Sequence, residues 1–401
     1  MNRNPNLTLT RKALISERLG LRLGAGELHK PNSIAVGTGA GFSSSVRDAF
    51  SENSLPSLLI HYQAIGTNDA RSAVPESPAV QAAPLVPTNP PPATAPASNS
   101  VFRPRPLLVR GLANSTLRPP RSGYEAQLAL ARRGISPGCI DGAVGSQTRA
   151  ALRAFQECER LPVTGQLDAP TKTRLLLSDP TERTYVVTSN DLARLQPVGE
   201  TWLAKSMQAR LDYETILELV AEKGQAHPNQ IRLLNPSINW TNVAAGTPVL
   251  IPNVEPPPVP AKAAWVRIRL ADRTLQAFGE DHTLLGHFPC SIARRIEKRP
   301  QGDLFVEKVA SYPTYRFDPD IFPESEEGRR LGRVLLIPPG PNNPVGTAWI
   351  GLNRPGYGIH GTPRPEQVGR TESHGCFRLA NWNADYLALL VRVGTRVRVE
   401  P

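Results

Sequence analysis

The sequence predicts a multidomain protein whose fold class changes along the chain. A Pro-rich N-terminal region without stable structure leads into a small three-helix module, a mixed strand–helix module and a mainly-β sandwich or barrel. Three observations carry this prediction. Proline is abundant, 41 of 401 residues, and clusters in runs such as VPTNPPPATAPASNS and EPPPVPAK that separate periodic segments. A glycine–threonine–leucine pattern occurs twice within one short stretch, the mark of repeated turn-plus-helix units. From Ala263 onward, many short apolar runs alternate with Gly, Pro and Asn turns and leave room for one helix. Hydrophobic residues make up 40% of the chain, enough for several cores. No apolar run is long enough to span a bilayer.

Residues 1–122 form the first region. Short apolar pieces such as LPSLLIHY show no sustained period. The stretch over 74–122 buries too little apolar surface to offset its ordering entropy and is expected to be a disordered, partly polyproline linker. The formal charge of +11 is concentrated here: residues 1–122 carry +7, residues 123–263 are balanced, and residues 264–401 carry +4. Such a basic tail suits an anionic partner or stays as a solvated arm. A secretion signal is not apparent, because Glu17, Arg18 and Arg22 interrupt the apolar stretch of KALISERLGLRLGAG.

Residues 123–179 read as the three-helix module. Gly142, Thr148 and Leu152 follow G-x5-T-x3-L, and Gly165, Thr171 and Leu175 repeat it. In each copy a glycine turn precedes a residue able to cap a helix. Leu152 and Phe155 then share one helical face, while Asp168 and Pro170 suit the start of the next helix. Residues 184–254 open on a β-like run, TYVVTSNDL, continue through the helical period of Ile216, Leu217, Val220 and Ala221, and close on LLNP…AAGTPVLIP. Residues 255–262 are a stiff Pro-rich linker, and residues 263–401 the β-rich domain. There WVRIRLADRTLQAF reads as a half-buried strand. RVLLIPPG, TAWIGL, YGIHGT and TRVRVE read as further strands. NWNADYLALLVRVG reads as a helix burying Tyr386, Leu387, Leu390 and Val391.

Four cysteines, Cys139, Cys158, Cys290 and Cys376, lack C-x-x-C or zinc-finger spacing, so no structural metal is expected. Cys139 and Cys158 either pair or are buried thiols. Cys376 stands apart because its surroundings can supply what a thiol nucleophile needs: a base, oxyanion donors and access. His360, in GYGIHGT, ends a predicted strand and can act as the base, lowering the thiol pKa to give thiolate at neutral pH. Gly361 and Gly375 permit tight turns and close approach by a substrate. The successive amides of His374, Gly375 and Cys376 can converge on a developing oxyanion. Arg378 projects to the same side of an extended chain as Cys376 and can grip a carboxylate. Asn381 can orient backbone in the same turn. Ser373 and Tyr357 complete the expected substrate-binding set. Tyr312, Tyr315 and Phe317, in an insertion between Ser311 and Pro339, are candidates to line a groove.

These residues carry family resemblances. Asp141-Gly142, Gly145, Thr148, Phe155-Gln156, Leu161 and Gly165 resemble the peptidoglycan-binding domain family of three-helix modules. The tail of residues 184–254 resembles a LysM domain, a βααβ glycan-binding fold, although its start lacks Gly-Asp-Thr-Leu, so the module is either a glycan binder or a degenerate LysM-like spacer. His360-Gly361-Thr362 followed by Ser373-His374-Gly375-Cys376-Phe377-Arg378-Leu379-Ala380-Asn381 resembles the L,D-transpeptidase family, or YkuD fold. RPQGDLFV and NPVGTAWIGL resemble that family's upstream elements. The resemblance implies that Cys376 attacks the carbonyl after the third residue of a peptidoglycan tetrapeptide stem. A thioester forms and D-alanine leaves. The amine of a second stem, or a protein lysine, then takes the acyl group, giving in the first case a 3→3 crosslink. It also implies that His360 is the base, held by the carbonyl of Gly361, that His374 is mainly structural, and that no cofactor or metal takes part. The partner is then peptidoglycan rather than nucleic acid, and the location the cell envelope or periplasm. Two alternatives are a non-catalytic peptidoglycan-binding envelope protein and an L,D-carboxypeptidase-type thiol hydrolase; a cytosolic thiol hydrolase or nucleic-acid binder is a third.

Overall fold

The computed structural model describes residues 116–259, 261–370, 373 and 375–401. The Pro-rich stretch and the apolar segments before residue 116, and His374, lie outside the described residues. Order is already present before residue 123. Arg118, assigned above to the unstructured region, bridges antiparallel to Leu177 and ion-pairs with Glu125 and Asp179, each at 2.8 Å.

Three helices follow: α1 (Gly123–Ala131), α2 (Ser146–Cys158) and α3 (Ala169–Arg174). Asp168 caps α3 by accepting from the Thr171 amide, with proline in the first turn. Leu152 and Phe155 are buried on one face of α2. The sequence echo has a cause that the glycines alone do not reveal. Each glycine turn is organised around a buried glutamine from the preceding helix. Gln127 accepts from the Asp141 and Gly142 amides at 3.0 and 2.7 Å. It donates to Asp141 Oδ1, the Ala143 carbonyl and Thr148 Oγ1 at 2.8–3.1 Å. Gln156 does the same in the second copy, accepting from Gly165 and donating to Thr164, the Gln166 carbonyl and Thr171. Removing one such hub strands several buried polar groups. Gln127→Leu should therefore lower stability by about 3 kcal/mol in denaturant unfolding, and a loss under about 0.5 kcal/mol would contradict this account.

The middle module pairs β1 (Glu182–Val186) with β2 (Pro248–Pro252), antiparallel, from Glu182 opposite Pro252 to Val186 opposite Pro248. Between them lie α4 (Ser189–Arg194), α5 (Trp202–Ser206), α6 (Ile216–Lys223) and α7 (Pro228–Leu234), two helices more than the βααβ expectation. The run TYVVTSNDL is not all strand. Thr188 and Asp191 form a reciprocal capping box that ends the strand and starts α4.

The modules are not beads on a string. Leu128, Leu152 and Phe155 of the first share one core with Val220, Ile231 and Ile251 of the second, and that core reaches Phe278 and Leu284. Arg132 donates to the carbonyls of Asn253, Ser178 and Pro180 at 2.7–2.8 Å. Val254 is buried, Val259 packs on the C-terminal core, and Lys262 Nζ donates to the Leu389 carbonyl. The expected Pro-rich spacer thus lies along the domain it was to separate.

In the C-terminal domain WVRIRLADRTLQAF is a hairpin, β3 (Trp265–Arg269) and β4 (Thr274–Phe278), rather than one strand. With β5 (Leu284–Pro289), β6 (Gly302–Ser311), β9 (Ala348–Leu352), β10 (Gly358–His360), β11 (Phe377–Arg378) and β12 (Arg396–Glu400) it builds one mixed eight-stranded sheet, ordered β11-β10-β9-β6-β12-β3-β4-β5. The sheet curls until its ends meet. Beyond β5, Ser291 bridges Arg378 of β11, and Ala293 bridges Ser373. The outcome is nearer the barrel than the sandwich. The edge strand β5 is also covered from outside, where Ile135 of the first module bridges His287. Helix α9 (Asn381–Leu390) buries Tyr386, Leu387 and Leu390 in the core.

The insertion after Ser311 forms β7 (Tyr315–Phe317), α8 (Glu326–Leu331) and β8 (Leu335–Ile337). It shares a third core with the middle module: Leu211 joins Phe317, Leu335 and Ile337, and Trp202 stacks on Phe317 with ring centroids 4.3 Å apart. Glu327 accepts from the Trp202 and Leu203 amides at the start of α5. The following loop is threaded through backbone: the Leu211 amide donates to the Pro339 carbonyl and the Asn342 amide to the Leu211 carbonyl. Gly340 sits between them with φ +150°, where a Cβ would come within 1.9 Å of the Leu211 oxygen.

Candidate active site

The sheet register assembles the site. Strand β10 pairs parallel to β11, with Ile359 opposite Phe377 and His360 opposite Arg378. It pairs antiparallel to β9, with His360 opposite Trp349. Ile359 and Phe377 point into the core and are fully buried. By the period of two, Trp349, His360 and Arg378 form a cross-strand row on the other face. Cys376 precedes β11 in a bend, close enough to Arg378 for the guanidinium charge to act on the thiol.

Each group is fixed from behind. His360 is buried, its Nδ1 lies 2.7 Å from the Gly361 carbonyl, and the Trp349 ring stacks on it at 5.6 Å. The carbonyl can only accept, so Nδ1 carries the proton and Nε2 is left as the basic nitrogen. The Cys376 thiol donates to the Gly356 carbonyl at 3.4 Å. Burial pushes this thiol upward, opposed by a hydrogen bond with the Gly358 backbone and by the Arg378 charge. Burial also pulls His360 down to about 4, against the Gly361 hydrogen bond and with help from Arg378. The expected thiolate at neutral pH is thus corrected. Both shifts favour a neutral thiol and a neutral imidazole, because burial penalises either ion.

Two residues expected to bind substrate are committed elsewhere. Ser373 is buried, and its hydroxyl donates to the Cys376 carbonyl, closing the turn that carries the sulfur. Asn381 is fully buried beneath the strand end. It accepts from the Thr347 amide at 3.3 Å and donates to the Pro341 carbonyl at 3.1 Å and to Glu222 at 3.0 Å. Arg378 and Tyr357 do lie at the open face. Tyr357 packs over Gly375, 3.5 Å from where a Cβ would stand, and Arg354 stacks on its ring. Of the insertion residues, Tyr315 faces Cys376 and Arg378, Tyr312 is exposed, and Phe317 is sealed in the third core. Sequence reading missed Trp349, Gly356 and Gly358; the glycine spacing in RPGYGIHG was the available signal for the last two. All four cysteines are unpaired, which settles the open alternative for Cys139 and Cys158. Among the described residues no cluster of His, Cys, Asp or Glu is placed to hold a metal.

A thiol, an imidazole with a fixed tautomer and a guanidinium gathered at the ends of adjacent strands can support acyl transfer through sulfur. A YkuD L,D-transpeptidase catalytic domain is found at residues 263–399, and a domain described as "Putative peptidoglycan binding domain" at residues 124–175. The chain is 28% identical over 186 residues to "Putative L,D-transpeptidase YkuD" of Bacillus licheniformis, covering 46% of this chain and 93% of that protein. It is 29% identical over 210 residues to "Probable L,D-transpeptidase ErfK/SrfK" of Escherichia coli, covering 51% of this chain and 66% of that protein. A solved L,D-transpeptidase structure from Xylanimonas cellulosilytica matches at 15% identity and a TM-score of 0.30, over 71% of this chain and 98% of that one.

Proposed function

We propose that the protein is a cell-envelope L,D-transpeptidase acting on peptidoglycan through a Cys376 thioester. The observation that carries the reading is His360, whose Nδ1 is tied to the Gly361 carbonyl so that Nε2 is left as the basic nitrogen, on the strand that pairs with the one following Cys376. His360 takes the thiol proton as sulfur attacks the carbonyl of the third stem residue. The amides of Gly375 and Cys376 stabilise the oxyanion. His360 then returns the proton to the departing D-alanine amine, and a thioester remains. The amine of a second stem attacks next, losing a proton to His360, and displaces the thiolate to give a 3→3 crosslink. Arg378 binds the donor's terminal carboxylate. The three-helix module holds the polymer, and the middle module, LysM-like in its closing segment, contributes a second glycan contact.

The test is incubation of the full chain with a purified disaccharide-tetrapeptide, read by mass spectrometry with and without an added D-amino acid as amine. Loss of D-alanine with formation of a crosslinked dimer, and exchange into the added amine, is the expected result. Tripeptide alone would assign a hydrolase. No product from folded protein would sink the reading.

A further inference from the structure

The middle module reaches the loop behind the imidazole through Glu222, a side chain outside the catalytic motif, which meets Asn381, the last residue of that motif. Helix α6 buries Ile216, Leu219 and Val220 in its own module and directs Glu222 at the C-terminal domain. Glu222 Oε2 accepts from Asn381 Nδ2 at 3.0 Å, and Oε1 accepts from Tyr213 Oη at 3.0 Å. Asn381 is the first residue of α9 but does not cap it; Ala380 stands at the cap without a side-chain bond. Instead the Asn381 amide lies under the loop that ends β10. Its Oδ1 sits 2.3 Å from where a Cβ on Gly361 would be and 2.0 Å from one on Gly346. Only glycine fits at either place. Gly361 is the residue whose carbonyl holds His360 Nδ1. The contacts therefore run from Glu222 to Asn381, from Asn381 to the Gly361 backbone, and from Gly361 to the ring. The same module grips the adjoining loop, where Asn342 Nδ2 donates to the Asp212 carbonyl at 2.9 Å and to Glu218 at 2.8 Å.

We propose that Glu222 is a positioning residue for His360, supplied by the middle module and acting through Asn381 on the Gly361 carbonyl. This rests on the reading of His360 as the base. What Asn381 needs from Glu222 is an acceptor. Without one, its buried Nδ2 keeps only the Pro341 carbonyl and its Oδ1 the long 3.3 Å bond from the Thr347 amide, so the side chain is less firmly held against Gly361. A glutamine at 222 supplies the acceptor through its carbonyl and can donate its amide to the Tyr213 oxygen. The middle module is then part of the working site as well as a wall contact.

The test uses the full chain with 15N-histidine labelling and a carbapenem as the acylating probe. Wild type should show His360 as one Nδ1–H tautomer. Glu222→Ala should show averaged ring-nitrogen shifts and acylate Cys376 some 10- to 100-fold more slowly. Glu222→Gln should restore the single tautomer and a rate within about threefold of wild type. Glu222→Leu, which fills the space without an acceptor, should behave as Glu222→Ala. A wild-type tautomer and rate in the Ala or Leu variant would overturn the proposal. So would failure of both to fold while Glu222→Gln folds, since Glu222 would then be structural. Wild-type protein inert to the carbapenem would count against the proposed activity, and the tautomer measurement would still decide the role of Glu222.

Discussion

Cys376→Ala should show no covalent adduct with a carbapenem and no turnover of tetrapeptide donor, a loss of at least about a thousandfold, while the protein unfolds at nearly its normal temperature. Both halves follow from the surroundings of the sulfur. It makes only weak hydrogen bonds, to the Gly356 carbonyl and with the Gly358 backbone, and it lies in the bend before the strand that carries Arg378, where the residue keeps some exposure although burial governs its thiol. Losing it opens no sealed cavity, and the turn stays closed by Ser373 on the residue 376 carbonyl. No other thiol can take over. Cys158 and Cys290 are buried and pushed up to about 12, and burial raises Cys139 as well. None of the three stands on the face that carries His360. An adduct retained by Cys376→Ala, mapped to any residue, would remove the sulfur from the mechanism.

The parts of this site legible in sequence are those fixed by neighbours in the chain. The alternation in YGIHGT places Ile359 in the core and His360 on the opposite face of the sheet. Helix α9 was readable because its buried residues recur at helical spacing. What escaped was set by distant partners. Nothing local says that Gln127 and Gln156 are buried hubs, since a glutamine on a helix is usually solvated. Nothing in EPPPVPAK shows that Val259 is packed, because proline stiffness suits an extended segment lying on a surface as well as a free spacer. Asn381 holds backbone as expected, but its burial and that of Ser373 set both apart from substrate for a related reason. A polar residue within a catalytic motif serves substrate or scaffold according to its burial, and burial is a tertiary property. The thiol was misjudged likewise, for a motif records the His–Cys pairing but not how little water reaches it.

That dryness makes the second large effect a matter of slope as well as size. With His360 pulled down to about 4, the imidazole is neutral and competent as a base throughout the range above that value. The Cys376 thiol, pushed up by burial, stays protonated at neutral pH. Acylation must then move the proton as the sulfur attacks, and the wild-type rate should be nearly flat from about pH 5 to 8, with its acid limb near 4 rather than at the usual histidine value of roughly 6.5. Removing the base leaves only the thiolate that water generates. His360→Ala should therefore be about 10²- to 10⁴-fold slower at pH 7 and rise about tenfold per pH unit until the thiol itself ionises. Single-turnover acylation by a carbapenem across pH 4 to 10 measures both quantities. An acid limb near 6.5 in the wild type would mean an imidazole in contact with water, contrary to its place beneath Trp349. A flat profile in His360→Ala would mean that another group takes the proton.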